Sequence, residues 1–87
     1  MSIATSSAIV CVLDVHGREV HLSVCNEGAD MWRWKVQSNK SFMLEEGLAT
    51  NRIAAQVEAQ RAFELRLLRA GVDDFDFTGY GWNEIVG

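Results

Sequence analysis

The sequence has no proline, only two cysteines and no long apolar run. The longest uninterrupted apolar segment, Ala8 to Leu13, is six residues long, whereas crossing a bilayer takes about 18–20. No proline-rich, repeated or low-complexity segment separates one part of the chain from another. The 87 residues, 48% of them apolar, therefore predict one globular domain without a membrane span or a linker.

An excess of basic residues is also missing. The net charge is −4, and up to Gly71 eight basic side chains balance eight acidic ones. The excess acid comes after Gly71, with Asp73, Asp74, Asp76 and Glu84. Because a nucleic acid requires a basic field on its protein partner, we expect nucleic acid to be a disfavoured partner.

Segments that would direct the chain out of the cell are not evident. Met1 to Ser7 has no basic residue and no apolar stretch of the length found in secretory signals. We therefore expect a cytoplasmic protein. In that compartment Cys11 and Cys25 are expected to be reduced thiols.

The first half of the chain predicts an antiparallel hairpin. Ala8–Val15 and Arg18–Cys25 are rich in β-forming residues and are separated by His16-Gly17, a pair suited to a two-residue turn with positive φ. Pairing Val15 with Arg18 aligns apolar residues on one face: Leu13 with Val20, Cys11 with Leu22, and Ile9 with Val24. Cys11 then faces the core and Cys25 faces away, which argues against a disulfide between them.

Two further strands follow a predicted loop at residues 26–30. From Met31 to Gln37, Trp32, Trp34 and Val36 alternate with Arg33 and Lys35. A turn at Ser38-Asn39-Lys40 and a strand from Ser41 to about Gly47 complete the sheet. In the expected register Val36 lies opposite Phe42, Trp34 opposite Leu44, Trp32 opposite Glu46, and Lys35 beside His21.

A long helix is predicted after the fourth strand. Thr50 or Asn51 is suited to cap its start, and Gly71 stands just past its expected end at Ala70. Its expected buried stripe comprises Ile53, Ala54, Val57, Leu65 and Leu68, with Phe63 and Leu67 to one side. Because the apolar residues exceed one stripe, a second neighbour is expected, either the C-terminal tail or another copy of the chain.

The tail, residues 72–87, combines acids with four of the eight aromatic residues. Such a density of aromatic side chains is unlike a solvated tail, so we expect it to fold back or to dock on a partner. The sequence therefore divides into an α+β domain at 1–71 and an acidic aromatic tail at 72–87.

Chemically active patterns are few. His21 with Asp14 and Glu19 matches no established metal-ligand spacing, and Cys25 lies four residues, roughly 13 Å of strand, from His21. The acids after Gly71 lack the turn glycine of a calcium loop. We predict no catalytic, cofactor or metal site and no small-molecule substrate, and expect a protein that is not an enzyme.

The segments Trp32-x-Trp-x-Val and Glu46-Gly47-Leu48-Ala49-Thr50, with Ala54, Ala55 and Ala59, resemble those of small uncharacterised bacterial proteins built as a β-meander followed by one helix. This resemblance covers residues 31–70 and implies no activity. The order of three strands and a helix is also similar to the later part of double-stranded-RNA-binding domains. Thr50-Asn51-Arg52-Ile53 stands where those domains have a lysine cluster.

The sequence predicts an α+β fold, with a four-stranded antiparallel meander and one long helix across its tryptophan-bearing face. The leading functional hypothesis is a non-enzymatic protein-protein interaction module, homodimeric through the open sheet face or the spare side of the helix. The alternative is a nucleic-acid-associated module that uses Arg33, Lys35 and the helix arginines Arg52, Arg66 and Arg69. The candidate interaction surface comprises Val10, Val12, His21, Arg33, Lys35, Met43, Phe75, Phe77, Tyr80 and Trp82, with Glu45 on the same open face.

Overall fold

The computed structural model describes residues 8–38, 42–77 and 79–85, which form an antiparallel sheet and one helix. The α+β class predicted from the sequence is confirmed. The predicted turn residues Asn39 and Lys40 lie outside the described residues. In chain order the elements are β1 (Ala8–Val15), β2 (Arg18–Gly28), β3 (Met31–Ser38), β4 (Phe42–Ala49), α1 (Arg52–Arg69) and β5 (Asn83–Ile85).

The β1–β2 hairpin has the predicted register, with Val15 opposite Arg18 and Ile9 opposite Val24. His16 and Gly17 have φ of 52° and 86°, as a two-residue turn with positive φ requires. The Gly17 amide donates to Asp14 Oδ1 at 2.9 Å. Cys11 is buried and Cys25 is half-buried on the opposite face, and both are free thiols.

The sheet has five strands, not the four predicted. Its order is β4-β3-β2-β1-β5, because the short strand β5 pairs antiparallel with β1 and places Asn83 opposite Val10. The chain after Gly71 thus satisfies backbone groups along the open edge of β1, which a four-stranded sheet would leave exposed.

The predicted pairing of β3 with β2 is wrong by two residues. Val36 lies opposite Leu22 and Trp34 opposite Val24, whereas His21 faces Gln37 and not Lys35. The cause is that β2 continues through the residues expected to form a loop, as far as Gly28, with a bulge after Asn26. The extra paired residues move β3 along β2 and keep the same side chains inward.

The β3–β4 register also differs from the prediction. Trp34 lies opposite Gly47, and a bulge near Val36 puts Glu45 opposite that residue and Glu46 opposite Lys35. Glu46 is therefore on the open face, not the inner one. Glu45, expected on the open face, instead lies on the helix side, with its Oε1 3.5 Å from Arg66 Nε.

The ends of α1 are as predicted. Asn51 is the N-cap, and its Oδ1 accepts a hydrogen bond from the Ala54 amide at 2.8 Å. Past the C-cap Ala70, Gly71 has φ of 78°. The amides of Gly71 and Val72 donate to Leu68 and Leu67, which is a Schellman motif that turns the chain back towards the sheet.

The buried face of α1 differs from the predicted stripe. Its buried residues are Ala55, Ala59, Ala62 and Phe63, while Ile53, Val57, Leu65 and Leu68 are exposed. Alanines allow the helix to approach the sheet closely, because the indole of Trp34 already fills the space between them. The Trp34 Nε1–H donates to Glu58 Oε1 on α1 at 3.0 Å.

The core lies between the helix and the inner face of the sheet. Leu13, Leu22, Val24 and Val36 are its largest fully buried aliphatic side chains. α1 packs on β2, β3 and β4. Half-buried side chains from the tail also pack against this core: Val72, Phe75, Phe77 and Trp82.

Candidate functional site

One candidate surface is the sheet outer face, the side of the sheet opposite α1. Its central row runs across four strands, from Val12 through His21 and Gln37 to Met43. Val12 and Met43 are 43% and 38% exposed, but the two polar residues stand between them. In this row the two apolar side chains are therefore separated. Leu48, opposite Arg33 and 52% exposed, lies on the same face.

The cations of the sheet outer face have acidic neighbours. Arg33 Nε donates to Glu27 Oε2 at 2.8 Å, and its Nη1 donates to Glu46 Oε1 at 3.3 Å. The hydrogen bond from Arg33 holds the pKa of Glu27 below its usual range and raises the pKa of Arg33. Lys35 lies between Ser23 and Glu46, in the row that includes Val10. The local field on this face is thus largely neutralised.

His21 has a carboxylate partner, Glu19, whose Oε1 lies 2.9 Å from His21 Nε2. This contact is within one strand and replaces the predicted neighbour Lys35, which the two-residue register shift moves away. Within residues 8–38, 42–77 and 79–85, no three histidine, cysteine or acidic side chains are grouped as metal ligands.

The aromatic residues after Gly71 form a cluster on α1. Phe63, Phe75 and Phe77 meet edge to face, with ring centroids 5.1 to 5.7 Å apart. Tyr80 stacks on Phe75 at 5.6 Å, and its hydroxyl donates to the Asp14 carbonyl at 3.3 Å. Of the four tail aromatics, Tyr80 is exposed, whereas Phe75, Phe77 and Trp82 contribute to the core.

A second candidate surface is the helix outer face, defined by Ile53, Val57, Arg61, Glu64, Leu65 and Leu68. Sequence reasoning missed it, because these aliphatic residues were assigned to the core. Their exposures are large: 69% for Ile53, 53% for Val57, 47% for Leu65 and 65% for Leu68. The sequence does contain a signal for the buried face. Alanines recur at positions 55, 59 and 62, which is helical spacing, and their small side chains can form a close-packed face.

A groove adjoins the C-terminal half of this face and has a volume of about 390 Å³. We call it the helix groove. Hydrocarbon forms most of its wall, with charged groups at its edge. The residues around it are Leu65, Leu67, Leu68, Val72, Phe75 and Phe77, together with Arg61, Glu64 and Asp73. The helix outer face and the helix groove therefore form one continuous surface.

The charges on the helix outer face have no ion pair within the described part of the chain. Arg61 and Glu64 are both exposed, and the ion pairs of α1 involve a different residue, Arg66. Arg66 also donates to the Leu44 carbonyl on β4. It is therefore not a free cation on the helix surface, as the nucleic-acid alternative expects. Arg61 and Glu64 remain available to a partner.

In the described residues, no helix has the length and apolar character needed to span a membrane. Comparison with protein-family models, curated proteins and solved structures finds no match for this chain. The resemblance to small bacterial β-meander proteins therefore stays a prediction.

Proposed function

We propose that this protein is a non-enzymatic protein-protein interaction module that associates with a second copy of itself through the helix outer face. The observation that carries the proposal is the exposure of Ile53, Val57, Leu65 and Leu68 on one helix. These four side chains form two apolar groups, one on each side of the exposed Arg61 and Glu64, and covering apolar surface is favourable by about 25 cal/mol per Å².

The helix outer face is a better candidate than the sheet outer face. On the sheet, Arg33 is already paired with two carboxylates. On the helix, Arg61 and Glu64 separate two apolar pairs, Ile53 with Val57 and Leu65 with Leu68, and have no ion pair among the described residues. On the helix, the apolar side chains adjoin the helix groove, whose wall is mostly hydrocarbon. Aliphatic walls favour binding of an apolar surface, which supports an interaction role.

The nucleic-acid alternative has less support. The chain carries a net charge of −4, and two of the cations it would use, Arg33 and Arg66, are engaged by Glu27, Glu46 and Glu45. A phosphate backbone would have to displace these carboxylates, at an electrostatic cost. Protein association requires no such displacement.

The test is light scattering coupled to size-exclusion chromatography on the full chain over a concentration series. The monomer mass is 9.7 kDa, and we expect the mass to rise towards twice that value with concentration. Leu68→Glu should return it to the monomer value, whereas Val12→Glu on the sheet outer face should leave it unchanged. A monomeric mass at every concentration would contradict the proposal.

A further inference from the structure

We infer that two copies pair their α1 helices antiparallel through the helix outer face. The two-fold axis is perpendicular to the helices and crosses them at the level midway between residues 62 and 63. This inference rests on the proposed function and specifies the geometry of its interface. It is carried by the order of side chains along the helix outer face, where Val57, Arg61, Glu64 and Leu68 follow one another. Their spacings of four, three and four residues place them in a single seam along the helix.

Symmetry makes this order informative. A closed dimer uses the same patch on both copies, so the patch must complement itself. Reversal of the seam about its centre exchanges Val57 with Leu68 and Arg61 with Glu64. An antiparallel pair therefore brings Val57 against the partner's Leu68 and Arg61 against the partner's Glu64, and each contact occurs twice.

A parallel pair would have the opposite electrostatics. It would place each Arg61 near the partner's Arg61 and each Glu64 near the partner's Glu64, and like charges in contact oppose association. Arg61 and Glu64 have no ion pair among the described residues of their own chain, so the antiparallel arrangement supplies partners for both. The charges thus select the direction of pairing, and the flanking aliphatic residues supply apolar burial.

The helix groove extends the contact beyond the seam. In the antiparallel register, Ile53 of one copy lies beside the C-terminal end of the partner's helix, which the helix groove adjoins. This explains the exposure of Ile53, 69% and the highest among the exposed large hydrophobic side chains, by a neighbour that buries it. The occupant of each groove is thus the N-terminal turn of the other helix.

The size of this interface sets the expected affinity. A helix of 18 residues is about 27 Å long at 1.5 Å per residue, so a single helix pair buries less than the ~1,600 Å² of a standard interface. The groove adds to it, but the contact remains small. We therefore expect a weak dimer whose population depends on concentration.

Charge reversal tests the register. Arg61→Glu places two acidic groups together at both symmetric contacts, and Glu64→Arg places two basic groups together. We expect each single variant to weaken dimerisation by about ten-fold or more in sedimentation equilibrium. The double variant R61E/E64R restores opposite charges at both contacts and keeps the net charge of the wild type, so its dissociation constant should return to within about three-fold.

Two controls accompany these variants. Arg69→Glu makes the same change in net charge as Arg61→Glu but lies on the flank of α1, and it should alter dimerisation by less than about three-fold. Circular dichroism should show that each variant keeps the wild-type helix content, since the substituted side chains are exposed.

A mixing experiment tests the same register. An equimolar mixture of Arg61→Glu and Glu64→Arg chains should form heterodimers, because both contacts between positions 61 and 64 then join opposite charges.

The outcomes separate the two proposals. If the wild type is monomeric throughout, self-association is wrong and the register falls with it. If the wild type dimerises but the single reversals have no effect, or the double variant does not recover, the antiparallel register is overturned while self-association stands.

Discussion

The indole ring of Trp34 on β3 lies against the backbone of Gly47 on β4. A Cβ atom at position 47 would come within 2.5 Å of Trp34 Cζ2, closer than two carbon atoms can pack. The same ring is held by the hydrogen bond from its Nε1–H to Glu58 on α1. Gly47 therefore makes room for the tryptophan that spaces the helix from the sheet.

This contact predicts that Gly47→Ala destabilises the fold. The added methyl group must displace Trp34 from a packed position, at a cost of about 1–3 kcal/mol in the free energy of unfolding. Urea denaturation measures it. Gly28→Ala is the matched control, because a Cβ there would meet Met31 Cβ at an ordinary 3.8 Å. An equal effect of the two substitutions would contradict the account of Trp34.

The aromatic cluster predicts unequal costs for its members. Among the described residues, the Phe75 ring contacts the rings of Phe63, Phe77 and Tyr80. The Tyr80 ring stacks on that of Phe75, and its hydroxyl donates to the Asp14 carbonyl. Phe75→Ala should reduce the free energy of unfolding by about 2–3 kcal/mol, since it removes apolar burial and edge-to-face contacts. Tyr80→Ala, at an exposed site, should cost less than half as much in the same denaturation experiment. The reverse order would show that the tail does not stabilise the fold through Phe75.

Arg33 predicts an acid-sensitive contribution to stability. Because its hydrogen bond lowers the pKa of Glu27 in the folded chain, this pair stabilises the fold above the ordinary carboxyl pKa. The contribution is lost as the pH falls from that ordinary value through the lowered one. Arg33→Gln should raise the Glu27 pKa towards its ordinary value, as measured by NMR titration of the carboxyl group.

Arg18→Gln is the control for this titration. Arg18 begins β2 and Glu27 is near its end, about 30 Å away along the strand at 3.3 Å per residue. The control should leave the Glu27 pKa unchanged. A Glu27 pKa that responds equally to both substitutions would indicate a general charge effect rather than the contact with Arg33.

The two cysteines should react at different rates. Burial raises the pKa of the Cys11 thiol on β1 and also shields the thiol from reagents. Cys25 on β2 is half-buried and lies on the opposite face of the sheet. A thiol-specific disulfide reagent should label one group rapidly in the native chain and the second only on unfolding. Cys25→Ser should abolish the rapid phase. If the rapid phase persists in that variant, the inward orientation of Cys11 is wrong.

Much of the sheet could be predicted because alternation and turn chemistry agree there. In the β1–β2 hairpin, His16-Gly17 fixes the turn and the apolar alternation fixes the register, so the two constraints allow one pairing. The pairing of β3 failed because Asn26 to Gly28 resemble a loop in composition but continue β2 through a bulge. A bulge adds residues without disturbing the alternation, and the pattern alone does not reveal it.

The helix outer face could not be predicted from side-chain size. The predicted stripe places Ile53, Ala54, Val57, Leu65 and Leu68 inward. It leaves out Ala55, Ala59 and Ala62, although the sheet presents Trp34 to the helix. Close packing over that ring favours Ala55, Ala59 and Ala62, which forces Val57 and Leu68 outward. Which of two apolar stripes is buried depends on the opposing surface, and a periodicity argument does not contain that information.

The most direct test of the central claim is to locate the surface that changes when the chain associates. Amide chemical shifts recorded by NMR on dilute and concentrated samples of the wild-type chain would do so. We expect concentration-dependent shifts at Val57, Arg61, Glu64 and Leu68, with the amides of Val12 and Met43 unchanged. Shifts confined to Val12, Met43 and their neighbours would place the interface on the sheet outer face and contradict the account.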